Sequence, residues 1–244
     1  MSTDPSHALQ SSASFEDTLH SAPAEVLKAV AADQALNEDL ALTLLKTSDL
    51  PADVLEQISK NTAVANSRKA KLAIVEHPRT PRHVSFSLLR KLFTFDLMRV
   101  ALMPIVAGDI KAAAEEVLIN RLESLSSGET LSLARRASGR VAGALLFDPE
   151  PRVIQAALEN PRLTEASVVR ALMRSATSAA LVRTVCEHPK WSLRHEIRIA
   201  LLRNQKTPIR FAEAFARALP SPAVKEVLQR SWLPEAGKNR LQPD

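Results

Sequence analysis

One short phrase recurs along this chain, and it constrains the fold more than any other feature. An apolar stretch with helical spacing is followed by a polar pair that ends in His or Asn, usually by Pro, then by a basic residue and a Thr, Pro or Ser. The clearest copies are AKLAIVEHPRTP (70–81), VIQAALENPRLT (153–164), LVRTVCEHPKWS (181–192) and IRIALLRNQKTP (197–208). ALTLLKTSDLP (41–51) is a weaker copy.

The spacing of the copies indicates a repeating unit. They end at residues 51, 81, 164, 192 and 208, so the successive steps are 30, 83, 28 and 16 residues. A step of 83 residues corresponds to three units of about 28, which places two degenerate units in 82–163. Fixed spacing of this kind is typical of arrays in which each helical unit buries its apolar face against its neighbours.

Each phrase is interpreted as a joint between two helices. Asn or His tolerates the left-handed region and therefore ends a helix there, and the following Pro prevents the helix from continuing. Thr or Ser then caps the next helix, with Pro at its first position. Apolar residues follow at helical spacing, Val168 and Leu172 in one copy and Phe211 and Phe215 in another.

The composition agrees with an all-α fold. The chain has only 5 Gly and no Tyr, and aromatic residues make up 4% of it. Turns and strands draw on Gly, β-branched and aromatic residues, whereas the abundant Ala, Leu, Arg and Glu favour helices. We expect a right-handed α-solenoid of six to eight short helix pairs, from about residue 24 to residue 232.

One segment resembles a known family. DPEPRVIQAALENPRLTEASVVRAL (148–172) is similar to the leucine-rich repeat variant unit, a short helical repeat of the HEAT-like class. The resemblance extends over roughly 148–218 and 41–93, and it implies a scaffold fold and not a reaction. The family's founding type adjoins a cysteine-ligated iron–sulfur cluster, which the single Cys186 cannot ligate, so no cofactor is expected. The likeness is carried by Asp148, Arg152, Val153, Ala157, Asn160, Pro161, Val168 and Leu172.

The predicted organisation has three parts. Residues 1–22 are expected to be a disordered Ser-rich tail, 23–232 the solenoid and 233–244 a C-terminal tail. In the last helix, Ser221 is the expected cap and Pro222 the first helical residue.

The chain's chemistry favours a soluble, bacterial-type cytoplasmic protein. One cysteine is compatible with a reducing compartment. The first twenty residues are polar and do not resemble a secretory signal. Apolar runs are far shorter than the ~20 residues that span a bilayer, so no membrane association is expected.

Positive charge is concentrated in the C-terminal two-thirds. The formal charge is −7 over 1–66, +5 over 67–149 and +7 over 150–244. We interpret the basic residues, together with one tryptophan, as a rim that binds a partner. A purely structural interpretation competes, because a basic side chain just after a helix also interacts with the last carbonyl groups. The candidate partner-binding residues are Arg79, Arg162, Lys190, Arg203, Lys206, Arg135, Arg136, Arg140 and Trp191.

Three classes of function are compared. The first is a non-enzymatic protein–protein interaction scaffold that holds an acidic protein partner. The second is a sequence-independent nucleic-acid binder, although single-strand recognition normally uses aromatic platforms and only Trp191 and Trp232 offer large flat rings. The third, a DNA glycosylase-like enzyme with a concave Trp and an Asp, is remote, since 149–243 contains no Asp.

No catalytic, cofactor or metal motif is recognised. His77 and His188 occupy the position that Asn160 and Asn204 hold in other copies, which indicates a role at the helix end and not in catalysis. No carboxylate or thiol completes a metal site at ligand spacing, and no phosphate-binding loop or nucleophile elbow is present. We therefore expect no catalytic activity, no metal, no cofactor and no small-molecule substrate.

Overall fold

The computed structural model describes residues 23–241, and every regular element within that range is a helix. The tail predicted for 1–22 lies outside the described residues. The chain divides into two compact units, whose boundary in the sequence falls between Leu118 and Ile119. Within residues 23–241, no helix combines the length and apolar character needed to cross a membrane.

The first unit contains short helices joined by tight turns. Helix α1 packs on α3, α2 on α5, and α5 on α7, so contacts join helices that are not immediate neighbours in sequence. Ala31, Leu55 and Ile58 are completely buried between them. The helices are α1 (Ala24–Ala32), α2 (Glu38–Leu45), α3 (Ala52–Lys60), α4 (Thr62–Ala65), α5 (Arg68–Glu76), α6 (Arg82–Leu89), α7 (Thr94–Leu102) and α8 (Gly108–Arg121), whose last turn extends past the unit boundary.

The second unit follows the same plan more regularly. After a 3₁₀ turn at Leu122–Ser124, its helices are α9 (Ser127–Arg136), α10 (Gly139–Leu145), α11 (Pro151–Leu158), α12 (Glu165–Leu172), α13 (Ala179–Glu187), α14 (His195–Arg203), α15 (Ile209–Arg217), α16 (Ser221–Gln229) and α17 (Glu235–Leu241).

These helices of the second unit form two rows. We call α9, α11, α13, α15 and α17 the odd row, and α10, α12, α14 and α16 the even row. In the odd row α9 packs on α11, α11 on α13, and α15 on α17; in the even row α10 packs on α12, α12 on α14, and α14 on α16. Packing of each helix on the helix two places further along is consistent with a helical repeat.

Asn160 connects the joint between α11 and α12 to the earlier helix α9. Asn160 is 1% exposed. Its Nδ2 donates to the carbonyl oxygens of Ala134 and Ala137 at 2.8 and 3.1 Å, at the end of α9. Its Oδ1 accepts from the backbone N–H of Arg162 at 2.8 Å. Because the last carbonyl groups of a helix have no partner within the helix, one side chain here satisfies the helix before it and closes its own turn.

The same arrangement recurs at other joints. Asn204 Nδ2 donates to the carbonyl of Leu172 at 2.6 Å, 32 residues earlier. His77 reproduces it with a ring: Nε2 lies 2.9 Å from the carbonyl oxygen of Thr47, 30 residues earlier, and Nδ1 accepts from a backbone N–H two residues further on. At His77, Asn160 and Asn204 the His or Asn of the sequence phrase thus has one hydrogen-bonding role, whereas at His188 the long-range donor is Trp191 Nε1, which binds the Leu158 carbonyl.

The prediction of a left-handed backbone conformation at these joints is wrong. No residue between 23 and 241 has a positive φ angle. The backbone angles at His77, His188 and Asn204 are φ −73°, −75° and −87°, with ψ between 124° and 130°. An acceptor that binds the N–H two residues later closes an Asx-type turn, and this turn forms with an extended residue where a left-handed one was expected.

The Thr-Pro pairs also differ from expectation. Thr80 and Thr207 donate their hydroxyl hydrogens to carbonyl groups six residues earlier, at 2.5 and 2.6 Å, so each closes the preceding helix. Pro81 and Pro208 are then the N-caps of the next helices, not their first residues. Thr164 follows the expectation, since its side chain accepts from a backbone N–H in the first turn of α12 at 3.3 Å.

The segment predicted as the C-terminal tail contains a helix. Helix α17 forms within 233–244 and packs on α15, and Leu233 and Leu241 are each 5% exposed. In α16 the helix begins at Ser221, one residue earlier than expected, and Pro220 occupies the cap position.

Candidate functional site

Three of the basic residues that follow the joints are engaged within the protein. Arg79 Nη1 donates to the carbonyl of Asp49 at 2.8 Å, and Lys206 Nζ donates to that of Thr177 at 2.5 Å. Arg162 Nη1 makes a longer bond of the same type, 3.3 Å, to an α9 carbonyl. Each bond spans 26–30 residues, so these cations bind earlier parts of the chain: the last residue of α9 for Arg162, and the connections that follow α2 and α12 for Arg79 and Lys206. They therefore contribute to the joints before they contribute to any surface.

Lys190 and Trp191 form a packed cluster at the joint between α13 and α14. Trp191 is 2% exposed, and its Nε1 donates to the carbonyl of Leu158 at 2.8 Å. Lys190 Nζ lies 4.1 Å from the centroid of the indole ring. Burial lowers the pKa of the neighbouring His188, whose Nδ1 accepts from the N–H of Lys190. The Trp191 ring is thus enclosed and presents no face to a partner.

The remaining candidates lie on both rows of the second unit. Arg135 and Arg136 are exposed on α9 in the odd row, and Arg136 Nη2 donates to the Ser132 hydroxyl at 2.5 Å. Arg140 is exposed on α10 in the even row. Arg203 ends α14, and its Nε is buried with no hydrogen-bond acceptor among the described residues. The predicted rim therefore does not lie on a single row.

The two rows differ in how their arginines are paired. Most odd-row arginines meet a carboxylate: Arg210 binds Glu187 at 3.4 Å, and Arg217 and Arg240 bind Glu213 at 3.7 and 3.3 Å. In the even row, no carboxylate between residues 23 and 241 lies within ion-pair distance of Arg170, Arg174 or Arg203. More unpaired arginines therefore lie on the even row, although Arg135 and Arg183 of the odd row also have no carboxylate within ion-pair distance among residues 23–241.

Two of these arginines, together with Arg140, line a cleft of about 550 Å³ between α10 and α12. Gly139 and Gly143 are the small residues of α10 at this cleft, and the Cβ of Ser167 lies only 3.7 Å from the place of a Cβ at Gly143. The lining contains three guanidinium groups and no carboxylate. It comprises Gly139, Arg140, Gly143, Ala144, Phe147, Thr164, Ser167, Arg170, Ala171 and Arg174.

A second cleft of about 720 Å³ continues from the first, since both are lined by Ala144, Phe147 and Arg174. The Arg174 guanidinium lies over the Phe147 ring, 5.0 Å from its centroid. The lining of this second cleft is otherwise mainly apolar and acidic. It includes Ile119, Leu122, Leu125, Leu145 and Pro149 with Glu123, Asp148 and Glu150. We call the two together the α10–α12 groove. The first cleft is lined by cations alone, whereas the second contains carboxylates as well as Arg174.

Sequence reasoning did not single out Arg170, Arg174 or Phe147 as site residues. The signal was present in the spacing of Ser167, Arg170 and Arg174, which follow one another at intervals of three and four residues. Such an interval places side chains on one helix face. A local sequence pattern does not show that Arg170 and Arg174 have no carboxylate partner among the described residues, nor that the Phe147 ring lies against Arg174.

The described residues contain no group of three or more His, Cys, Asp or Glu side chains arranged to hold a metal ion. Cys186 is buried, and burial raises the pKa of its thiol to about 12. A thiol in that state is a poor nucleophile.

Comparisons with protein-family models, with curated protein sequences and with solved structures find no match to this chain. The similarity to the leucine-rich repeat variant unit therefore stays a prediction.

Proposed function

We propose that this protein is a right-handed α-solenoid of the HEAT-like type and a non-enzymatic scaffold that binds an acidic protein partner through the even row of its second unit. The observation that carries this proposal is the contrast between the rows. Four odd-row arginines pair with glutamates and two, Arg135 and Arg183, do not, whereas Arg170, Arg174 and Arg203 of the even row all have no carboxylate partner among the described residues. Uncompensated charge on one surface attracts and orients a partner of opposite sign.

The groove favours a polypeptide over a nucleic acid. A phosphate backbone is uniformly negative, and Glu123 and Asp148 in the second cleft would repel it. The enclosed Trp191 ring supplies no stacking platform of the kind that single strands use. A polypeptide, in contrast, can offer acidic, apolar and basic side chains in sequence.

The test compares matched charge reversals on the two rows. The even-row variant is Arg170→Glu with Arg194→Glu, and the odd-row control is Arg135→Glu with Arg183→Glu. All four side chains are exposed and none has a carboxylate within ion-pair distance among residues 23–241, so the two variants change charge equally with little expected effect on folding. Circular dichroism checks that both remain folded.

Affinity purification after nuclease treatment, with quantitative mass spectrometry and cross-linking, identifies proteins retained by each form. A partner retained by wild type and by the odd-row control, reduced about tenfold or more in the even-row variant, and cross-linked through an acidic segment supports the proposal. Calorimetry with the purified partner then confirms direct binding. Equal retention by both variants would contradict it.

The nucleic-acid alternative has its own test. Fluorescence anisotropy with duplex DNA and with RNA at about 50 and 200 mM salt measures binding and its salt dependence. Binding that falls steeply with salt and is lost only in the even-row variant would favour that alternative over a protein partner.

A further inference from the structure

The positive end of the α10–α12 groove has the composition of a site for a doubly charged anion. Arg140, Arg170 and Arg174 line a single cleft that contains no acidic side chain. Like charges gathered in this way repel one another, and an anion between them relieves the repulsion. Each guanidinium offers a planar pair of donors that matches two oxygens of a phosphate group.

The donors of Arg170 and Arg174 remain available to such an anion. Arg170 forms no ion pair, hydrogen bond or ring contact among the described residues. Arg174 contacts the face of Phe147 with its guanidinium 5.0 Å from the ring centroid, which orients the group without using its N–H donors. Both side chains are exposed, so a ligand reaches them without unfolding α12.

The floor of the cleft is built for close approach. Gly139 lies so close to the Arg162 carbonyl oxygen that any Cβ there would overlap it, and Gly143 leaves the centre of α10 without a side chain. The two glycines therefore let α10 pack closely against the turn before α12 and against α12 itself, beside the cleft.

The other end of the groove restricts the class of ligand. The lining of the second cleft includes the apolar Leu122, Leu125 and Pro149 and the exposed carboxylate of Glu123. A ligand that fills both clefts needs an anionic group for the first, and apolar and cationic groups for the second. A free phosphate has only the anionic group, and a nucleic acid would meet repulsion in the second cleft.

We propose that the α10–α12 groove binds a phosphorylated serine or threonine in a segment of the partner protein, with the phosphate between Arg140, Arg170 and Arg174 and the flanking apolar and basic residues towards Leu122 and Glu123. This inference rests on the proposed function and narrows it. A phosphate carries about −1.5 to −2 charges at neutral pH, against one for Asp or Glu, and therefore complements three arginines better.

The test uses three synthetic peptide libraries that are degenerate except for a fixed central residue: phosphoserine, serine or glutamate. Each is passed over the immobilised full chain, and the retained peptides are sequenced. We expect the phosphoserine library to be retained roughly tenfold more than either other library. Enrichment of apolar and Lys or Arg residues on one side of the phosphoserine is also expected.

Arg170→Gln with Arg174→Gln is the test variant, and Arg135→Gln with Arg183→Gln is the matched control on the odd row. The phosphoserine preference should be lost in the first and kept in the second. Equal retention of the glutamate library would overturn the phosphate assignment while leaving the acidic-partner proposal intact. Phosphopeptide retention that survives Arg170→Gln with Arg174→Gln would overturn the location of the site. RNA that binds wild type and displaces the peptides would overturn the choice of a polypeptide as the ligand.

Discussion

Replacing Asn160 gives the sharpest test of how the helices of the second unit are joined. Its side chain is 1% exposed and makes three hydrogen bonds, two to carbonyls of α9 and one from its own turn. Replacing it with Ala leaves two buried carbonyls and one N–H without their partner, and an unsatisfied buried group costs about 1–3 kcal/mol. Because water can relax into part of the space, we expect a loss of about 3 kcal/mol in the free energy of unfolding of the second unit.

Asn160→Asp separates hydrogen bonding from shape. Aspartate has nearly the same volume and keeps the acceptor for the turn, but at neutral pH it turns a second oxygen towards the carbonyls of Ala134 and Ala137. We expect it to destabilise at least as much as Asn160→Ala. Gln155→Ala, at an exposed position of α11, is the control and should change stability by no more than about 0.5 kcal/mol.

Urea unfolding followed by tryptophan fluorescence measures these changes, since Trp191 is buried in the second unit and reports its unfolding. Circular dichroism of the same samples reports both units and shows whether they unfold together. The reasoning is refuted if Asn160→Asp is as stable as wild type, because the two bonds from Asn160 to the carbonyls of α9 would then contribute nothing to the free energy of unfolding.

Three further outcomes are expected. Gly139→Ala should destabilise by about 1–3 kcal/mol in thermal or urea unfolding, because its Cβ would overlap the Arg162 carbonyl, whereas Gly128→Ala, in open space on a helix, should stabilise by roughly 0.5–1 kcal/mol; the reverse order would contradict the packing. Cys186, with a thiol pKa of about 12, should react with a thiol reagent at about pH 8 roughly 10³-fold more slowly in the native chain than in urea. The side-chain and backbone hydrogen bonds of the α9 capping box lower the pKa of Glu129 below its ordinary value. The loss of stability in Glu129→Ala should therefore be full above pH 4.5 and shrink as the pH of the unfolding experiments falls below it, and a pH-independent loss would argue against the box.

The candidate site could be read from the sequence only in part. Composition and charge distribution pointed to arginines in the C-terminal two-thirds, but they did not show which of those side chains are bonded within the protein. Arg79, Arg162 and Lys206 looked like the most regular surface feature, yet each donates to a carbonyl of the preceding unit. Arg170 and Arg174 looked ordinary, yet they line the cleft between α10 and α12.

The sequence by itself determined that the chain is helical and where its helices are joined. Helix propensity, apolar spacing and proline act over a few residues, so the joints at His77, Asn160, His188 and Asn204 could be recognised locally. Only the tertiary structure decided what His77, Asn160 and Asn204 bind, because their partners lie 23–32 residues away in the chain. It likewise decided which arginines are compensated, since charge pairing depends on distances between helices that no local pattern encodes.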